Sequence, residues 1–198
     1  MSATSAPFGL RPAFHPSGLD RAQALAGGIP SAFNTDILKG QPVRYQTTAI
    51  GGTLGTITPA TTSGAWVGAF AGVQWTDTTG RARVSNYWPA NTAYTAGTCV
   101  AYFYNDQNIV YEIQADGSMA QTTIGNEYNF TNVTAGSTVT GLSQATLGSA
   151  TAVGNGSQGQ MRVVDIAPYP GNDWGDAYTI VRVVVANSQF FGATTAIA

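Results

Sequence analysis

His15 is the single histidine of the chain, so any serine or cysteine triad would have to take it as its base. It stands between Phe14 and Pro16 in a proline-broken stretch, and no Gly-x-Ser-x-Gly elbow aims a serine at it. Cys99 is the only cysteine, which excludes an intrachain disulfide. It lies in the apolar run Thr98-Cys99-Val100-Ala101-Tyr102, where a buried, inert thiol is expected. Glycoside hydrolysis needs two carboxylates facing each other across a sugar cleft. Glu112 and Glu127 are the only glutamates, and Trp66, Trp75, Trp88 and Trp174 would have to line that cleft rather than pack a core or an interface. Asn172, Asp173 and Asp176 could offer oxygens to Ca²⁺, but their spacing is not that of an EF-hand loop. A turn capped by Asn and Asp side chains is the better reading. Gly154-Asn155-Gly156-Ser157-Gln158-Gly159 fits G-x-G-x-x-G, yet dinucleotide binding requires a helix to open after the motif. Here Gln160-Met161-Arg162-Val163-Val164 reads as a strand. No enzymatic site, metal site or cofactor is expected.

The composition points the same way. A chain of 198 residues is one domain, or one domain with an appendage, and can bury a real core. Apolar residues make up 43% but charged ones only 9%, against roughly 25% in soluble domains. Thr, Ser, Asn, Gln and 24 glycines replace the missing charge, leaving little repulsion to keep copies apart. Such a surface suits a protein held among partners. The net charge is −2, and the basic residues are scattered, with Arg81 and Arg83 the nearest to a cluster. They follow the turn Asp77-Thr78-Thr79-Gly80 and would share one face of a strand. Nucleic-acid binding, which needs clustered cations, is not expected. No apolar stretch is long enough to cross a membrane as a helix. Met1-Ser2-Ala3-Thr4 lacks a basic region ahead of an apolar run, so the expectation is assembly in a cytoplasm.

Two regions must position whatever site exists. Residues 1–40 are broken by Pro7, Pro12, Pro16 and Pro30, and read as an extended N-terminal arm with one short helix around Asp20 to Leu25. Phe8, Leu10, Phe14, Leu19 and Phe33 make the arm too apolar to be a free tail. It should dock, either on its own body as a strap or on a neighbour. Residues 41–198 form the β-rich body, whose core is expected to come from its own strands. Ala65 to Trp75 carries glycines beside aromatics, which suggests a bulge or a close backbone approach. Ile109, Tyr111 and Ile113 alternate with Val110, Glu112 and Gln114, and Asp116-Gly117 follows as a turn signal. Gln160 to Ile166 and Tyr178 to Ala186 read as two long late strands. The pattern predicts an all-β fold, a barrel or sandwich of jelly-roll or β-tulip-like form.

Pro7-Phe8-Gly9-Leu10-Arg11-Pro12 resembles the opening of a group of small structural proteins encoded beside the major capsid protein in tailed bacteriophages. Gly68-Ala69-Phe70-Ala71-Gly72-Val73, running through Gly80-Arg81 to Ser85-Asn86-Tyr87-Trp88-Pro89-Ala90, is similar to the same group. So are Val110 to Gly117 and Gly171-Asn172-Asp173-Trp174-Gly175-Asp176. The resemblance implies a head decoration, or cement, protein bound to the outer surface of the capsid. Its partners would be the major capsid protein and further copies of itself, as a trimer in preference to a dimer. The expected contact residues are Phe8, Leu10, Arg11 and Phe14 in the arm, with Trp88 and Pro89 in the body, although Trp88 could equally be a core residue. The alternatives are a phage tail or fibre component with a carbohydrate-binding face, and a cellular β-sandwich binding module.

Overall fold

The computed structural model describes residues 2–18, 24–46, 54–154 and 156–190. Fifteen short strands occur among them. In chain order they are β1 (Arg11–Phe14), β2 (Ala24–Gly27), β3 (Pro42–Tyr45), β4 (Ile57–Pro59), β5 (Gly68–Thr76), β6 (Ala82–Ser85), β7 (Val100–Tyr104) and β8 (Val110–Gln114). There follow β9 (Glu127–Tyr128), β10 (Phe130–Thr131), β11 (Gly136–Ser137), β12 (Leu142–Ser143), β13 (Thr146–Leu147), β14 (Met161–Ile166) and β15 (Ile180–Val185). One 3₁₀ turn at Gln121–Thr123 is the only helical element described. The all-β expectation therefore holds; the described strands pair with one another antiparallel, and isolated parallel bridges such as Lys39–Leu142 join them to the connecting segments.

Two sheets carry most of the structure. One has the order β1-β8-β15-β14-β9; the other runs β2-β7-β5-β3-β4, with β6 added on β5. Both are open at their ends, so no closed barrel exists among the described residues. The proposed helix near Asp20 is replaced where it can be seen: Ala24 and Leu25 belong to β2, and Asp20 to Gln23 lie outside the described residues.

β5 shows how sequence sets register. Ala69 faces one core, whereas Phe70 and Val73 both face another. Strict alternation would have separated Phe70 from Val73. The β5–β7 register shifts between Phe70 and Gly72, where Gly72 takes φ +152°, and the extra residue returns Val73 to the face of Phe70. A Cβ on Gly68 would lie 1.6 Å from the Tyr104 carbonyl oxygen, so this glycine permits the close approach of β5 to the end of β7.

The core is not drawn from later strands alone. Leu10 joins Trp66, Tyr111, Ile113, Phe130 and Val181 in the first core. Ile29 and Ile37 join Phe70, Trp88 and Phe103 in the second. The N-terminal residues thus strap their own domain, and Pro12, which has no N–H to give, sits on the edge strand β1. Ile109, Tyr111 and Ile113 line the first core as their spacing implies, and the two late strands pair with each other.

Gln160 ties the sheets together. It is fully buried, and its Oε1 accepts from the Phe130 N–H at 3.0 Å. Its Nε2 donates to the carbonyls of Thr61 (3.1 Å) and Gly64 (3.0 Å), on the segment leading into β5. Its own carbonyl accepts from the Trp66 indole at 3.2 Å and from the Ala186 N–H at 3.0 Å. Replacing Gln160 with leucine would strand the Phe130 N–H in the interior, at about 1–3 kcal/mol, and would break the two bonds to the carbonyls of the exposed residues Thr61 and Gly64, which water can satisfy. Urea unfolding of Gln160→Leu should show a loss of about 1–3 kcal/mol. A stability equal to wild type would show that the amide does not hold the sheets.

Candidate functional site

The arm residues Phe8 to Arg11 are fixed by a crossing of two glycines. Gly9 has φ +71° and Gly40 has φ +80°, both in the left-handed region that favours glycine. A Cβ on Gly9 would stand 2.7 Å from the Gly40 carbonyl oxygen and 2.8 Å from Ser143 Cβ. The close approach lets Leu10 N–H donate to Gly40 O at 2.8 Å, while Gly40 N–H donates to Phe70 O at 2.8 Å. Arm, residue 40 and β5 are thereby stitched in one line. Leu10 points into the core and Phe8 is left half-buried at the surface.

Arg11 opens β1 and is registered opposite Glu112, which is itself opposite Arg182 on β15. One carboxylate therefore lies between two guanidinium groups. Arg11 Nη2 donates to Glu112 Oε2 at 2.7 Å, and Arg182 Nε stands 3.5 Å from Oε1, an ionic contact rather than an aligned hydrogen bond. The Tyr169 hydroxyl donates to the same Glu112 oxygen that Arg11 reaches, and accepts from Arg11. Burial raises the Glu112 pKa, but the hydrogen bonds from Tyr169 and Arg11 and the two positive charges outweigh it and hold the carboxyl below its ordinary value. The Arg11 guanidinium also lies 4.9 Å from the centre of the Phe8 ring and 5.4 Å from that of Tyr169.

Two clefts flank this group. One, of about 240 Å³, lies among Phe8, Leu10, Pro12, Phe70, Tyr104 and Leu142, with Arg11 and Lys39 also lining it. The other, of about 220 Å³, lies between Phe8, Arg11, Gln114 and Tyr169. Of the expected contact residues, Phe8, Leu10 and Arg11 come together here. Phe14, 54% exposed, lies three residues further along β1. Pro89 is half-buried elsewhere. Trp88 is fully buried, packed edge-on against Trp75 and Tyr94 at 5.4 and 5.8 Å between ring centres. Leu10 and Trp88 are thus buried core residues, and Leu10 also lines the wall of the first cleft. Trp66, also fully buried, offers no stacking platform for a sugar.

Sequence reasoning missed Tyr169, Gln114 and Lys39. Gln114 is buried, accepts from the Ala6 N–H at 2.8 Å and donates to Thr4 O at 3.1 Å, so it pins the start of the arm. Its place on the polar side of the β8 alternation was visible; that the arm covers that side was not.

The remaining reactive groups are occupied by structure. Ser17 N–H donates to His15 Nδ1 at 3.1 Å, which leaves the proton on Nε2 to donate to Asp106 at 3.0 Å. Burial pushes the Cys99 thiol up to about 11. Asn172 accepts from Ile180 N–H and donates to the carbonyls of Ala167 and Ile180, and Asp176 accepts from Asp173 N–H, as the capped turn requires. Arg83 pairs with Asp77 at 3.0 Å on the exposed β6. Among the described residues no three His, Cys, Asp or Glu side chains are grouped to hold a metal ion. The chain matches no family model, no curated protein and no solved structure.

Two outcomes follow from this geometry. Trp88→Ala should destabilise the domain by about 3–5 kcal/mol in chemical denaturation, as for other buried aromatics. An unchanged midpoint would place Trp88 at the surface. Because the folded Glu112 pKa is depressed, its contribution is present above the unfolded value near 4.5 and lost as pH falls through the folded value. The melting-temperature gap between wild type and Glu112→Gln should be widest at neutral pH and shrink on acidification toward pH 3. A gap independent of pH would mean that the ion pairs contribute nothing.

Proposed function

We propose that this chain is a virion structural protein, a decoration or cement protein on the outer surface of a tailed-phage head, where it stabilises contacts between major capsid protein subunits. It is assembled in the bacterial host cytoplasm and works without catalysis or a cofactor. The observation that carries the reading is the Phe8–Arg11 corner. The six-residue opening that resembles the decoration group is built here into a rigid edge that leaves Phe8, Arg11 and Phe14 accessible. Repetition over a lattice lets individually weak contacts add up to firm attachment.

The two large sheets are read as a sandwich-like pair. Trp66, Ala69 and Tyr104 from the β5–β7 side contribute to, or pack against, the core lined by Tyr111, Ile113, Val181 and Val183 of the other sheet. On the shell, copies would gather in closed symmetric units, trimers at threefold positions in preference to dimers.

Antibody labelling and mild proteolysis of intact particles test the location. The protein should be labelled and cleaved while the genome stays enclosed. Full protection until the shell is broken would contradict an external site.

A further inference from the structure

The cleft between Phe8, Leu142 and Tyr104 has the size and charge of a receptor for one side chain. At about 240 Å³ it falls below the range of roughly 300–1,000 Å³ typical of small-molecule pockets. Its walls are the apolar groups of Phe8, Leu10, Pro12, Phe70, Tyr104 and Leu142. The only charged residues lining it are Arg11 and Lys39, both exposed. Arg11 is engaged by Glu112, but Lys39, the only lysine of the chain, has no carboxylate within 4 Å among the described residues. An apolar cleft with an uncompensated cation at its rim is complementary to an apolar side chain next to a carboxylate.

The cleft is also held in shape before anything enters it. Lys39 N–H donates to Gly141 O at 2.9 Å, and Ser143 N–H donates to Lys39 O at 2.9 Å, so the rim residues Lys39 and Leu142 belong to one bonded strip. Gly40 and Leu10 fix the opposite side through the stitch to β5. A rigid cavity loses little ordering entropy when it accepts a side chain.

We infer that this cleft binds an exposed segment of the partner protein in which a leucine-sized apolar side chain adjoins an Asp or Glu. The apolar group occupies the cleft and the carboxylate pairs with Lys39. The chemistry of the occupant rests on the cleft alone; its identity as a segment of the capsid protein rests on the reading above.

The test uses the full-length chain, labelled with ¹⁵N, and three capped peptides: acetyl-Gly-Leu-Glu-Gly-amide and the versions with Ala for Leu or Lys for Glu. Amide shifts should concentrate at Leu10, Gly40, Phe70 and Leu142 with the Leu-Glu peptide. Affinity should fall about tenfold for the Ala version and about fivefold for the Lys version. Lys39→Glu, an exposed substitution expected to keep the wild-type melting temperature, should reverse the preference between the Glu and Lys peptides. The same variant should occupy undecorated heads less well than wild type. Absence of shifts at the cleft, or equal binding of the Glu and Lys peptides, overturns the inference. So does a change of oligomeric state caused by Lys39→Glu in the free protein, which would make a second copy the occupant. Wild-type and Lys39→Glu chains decorating heads equally would overturn the cleft but leave the shell reading standing. Peptide binding with no decoration by wild type would uphold the cleft and defeat the shell reading.

Discussion

The buried amide of Gln160 is the interaction on which the two-sheet arrangement depends. Short strands leave long irregular connections, and each connection that passes through the interior brings backbone N–H and C=O groups that must be paired. The Gln160 side chain pairs the buried Phe130 N–H and the carbonyls of Thr61 and Gly64 on the surface segment before β5, while its main-chain carbonyl takes the Ala186 N–H. The same device recurs at lower stakes. Gln114 holds the backbone of the arm at Ala6 and Thr4, and Asn172 closes the loop before β15. Neutral amides can both donate and accept, and their burial avoids the desolvation cost of a charge. This gives the scarcity of charged residues a structural meaning.

Where charge is buried, it is concentrated. Glu112 is shared by Arg11 and Arg182 across β1, β8 and β15, and Glu127, fully buried, pairs with Arg162 at 2.7 Å and accepts from Gly159 N–H at 2.8 Å. The Glu112 group locks the arm onto the body from outside the core, while Leu10 locks it from inside. Between these two anchors Phe8 is held against the surface, with a cleft on either side. The candidate site is thus a consequence of how the arm is fastened, not a separate construction on top of the fold.

Much of this was legible in the sequence because it depended on local chemistry. The alternation at Ile109 to Ile113, the glycine-marked bulge in β5, the capped turn at Asn172 to Asp176 and the two late strands all follow from neighbours in the chain. What was not legible depended on distant partners. Prolines in the arm excluded a central strand, but an edge position at β1 satisfies them equally well, and nothing local distinguished docking on self from docking on another subunit. Leu10 looked like a contact residue because the arm looked detachable; Gly9 and Gly40, far apart in sequence, bring it into the core. Trp88 was as compatible with an interface as with an interior until Trp75 and Tyr94 were seen around it. Lys39 carried no motif and acquires meaning only from the apolar residues that folding assembles beside it.

The central claim is that the Phe8–Arg11 corner and its cleft face a capsid lattice. A density map of the intact particle at side-chain resolution measures this directly. The account predicts closed clusters of the chain on the outer surface of the head, with capsid-protein density entering the cleft between Phe8, Lys39 and Leu142. Copies confined to the tail, or copies on the head with that cleft open to solvent, would contradict it.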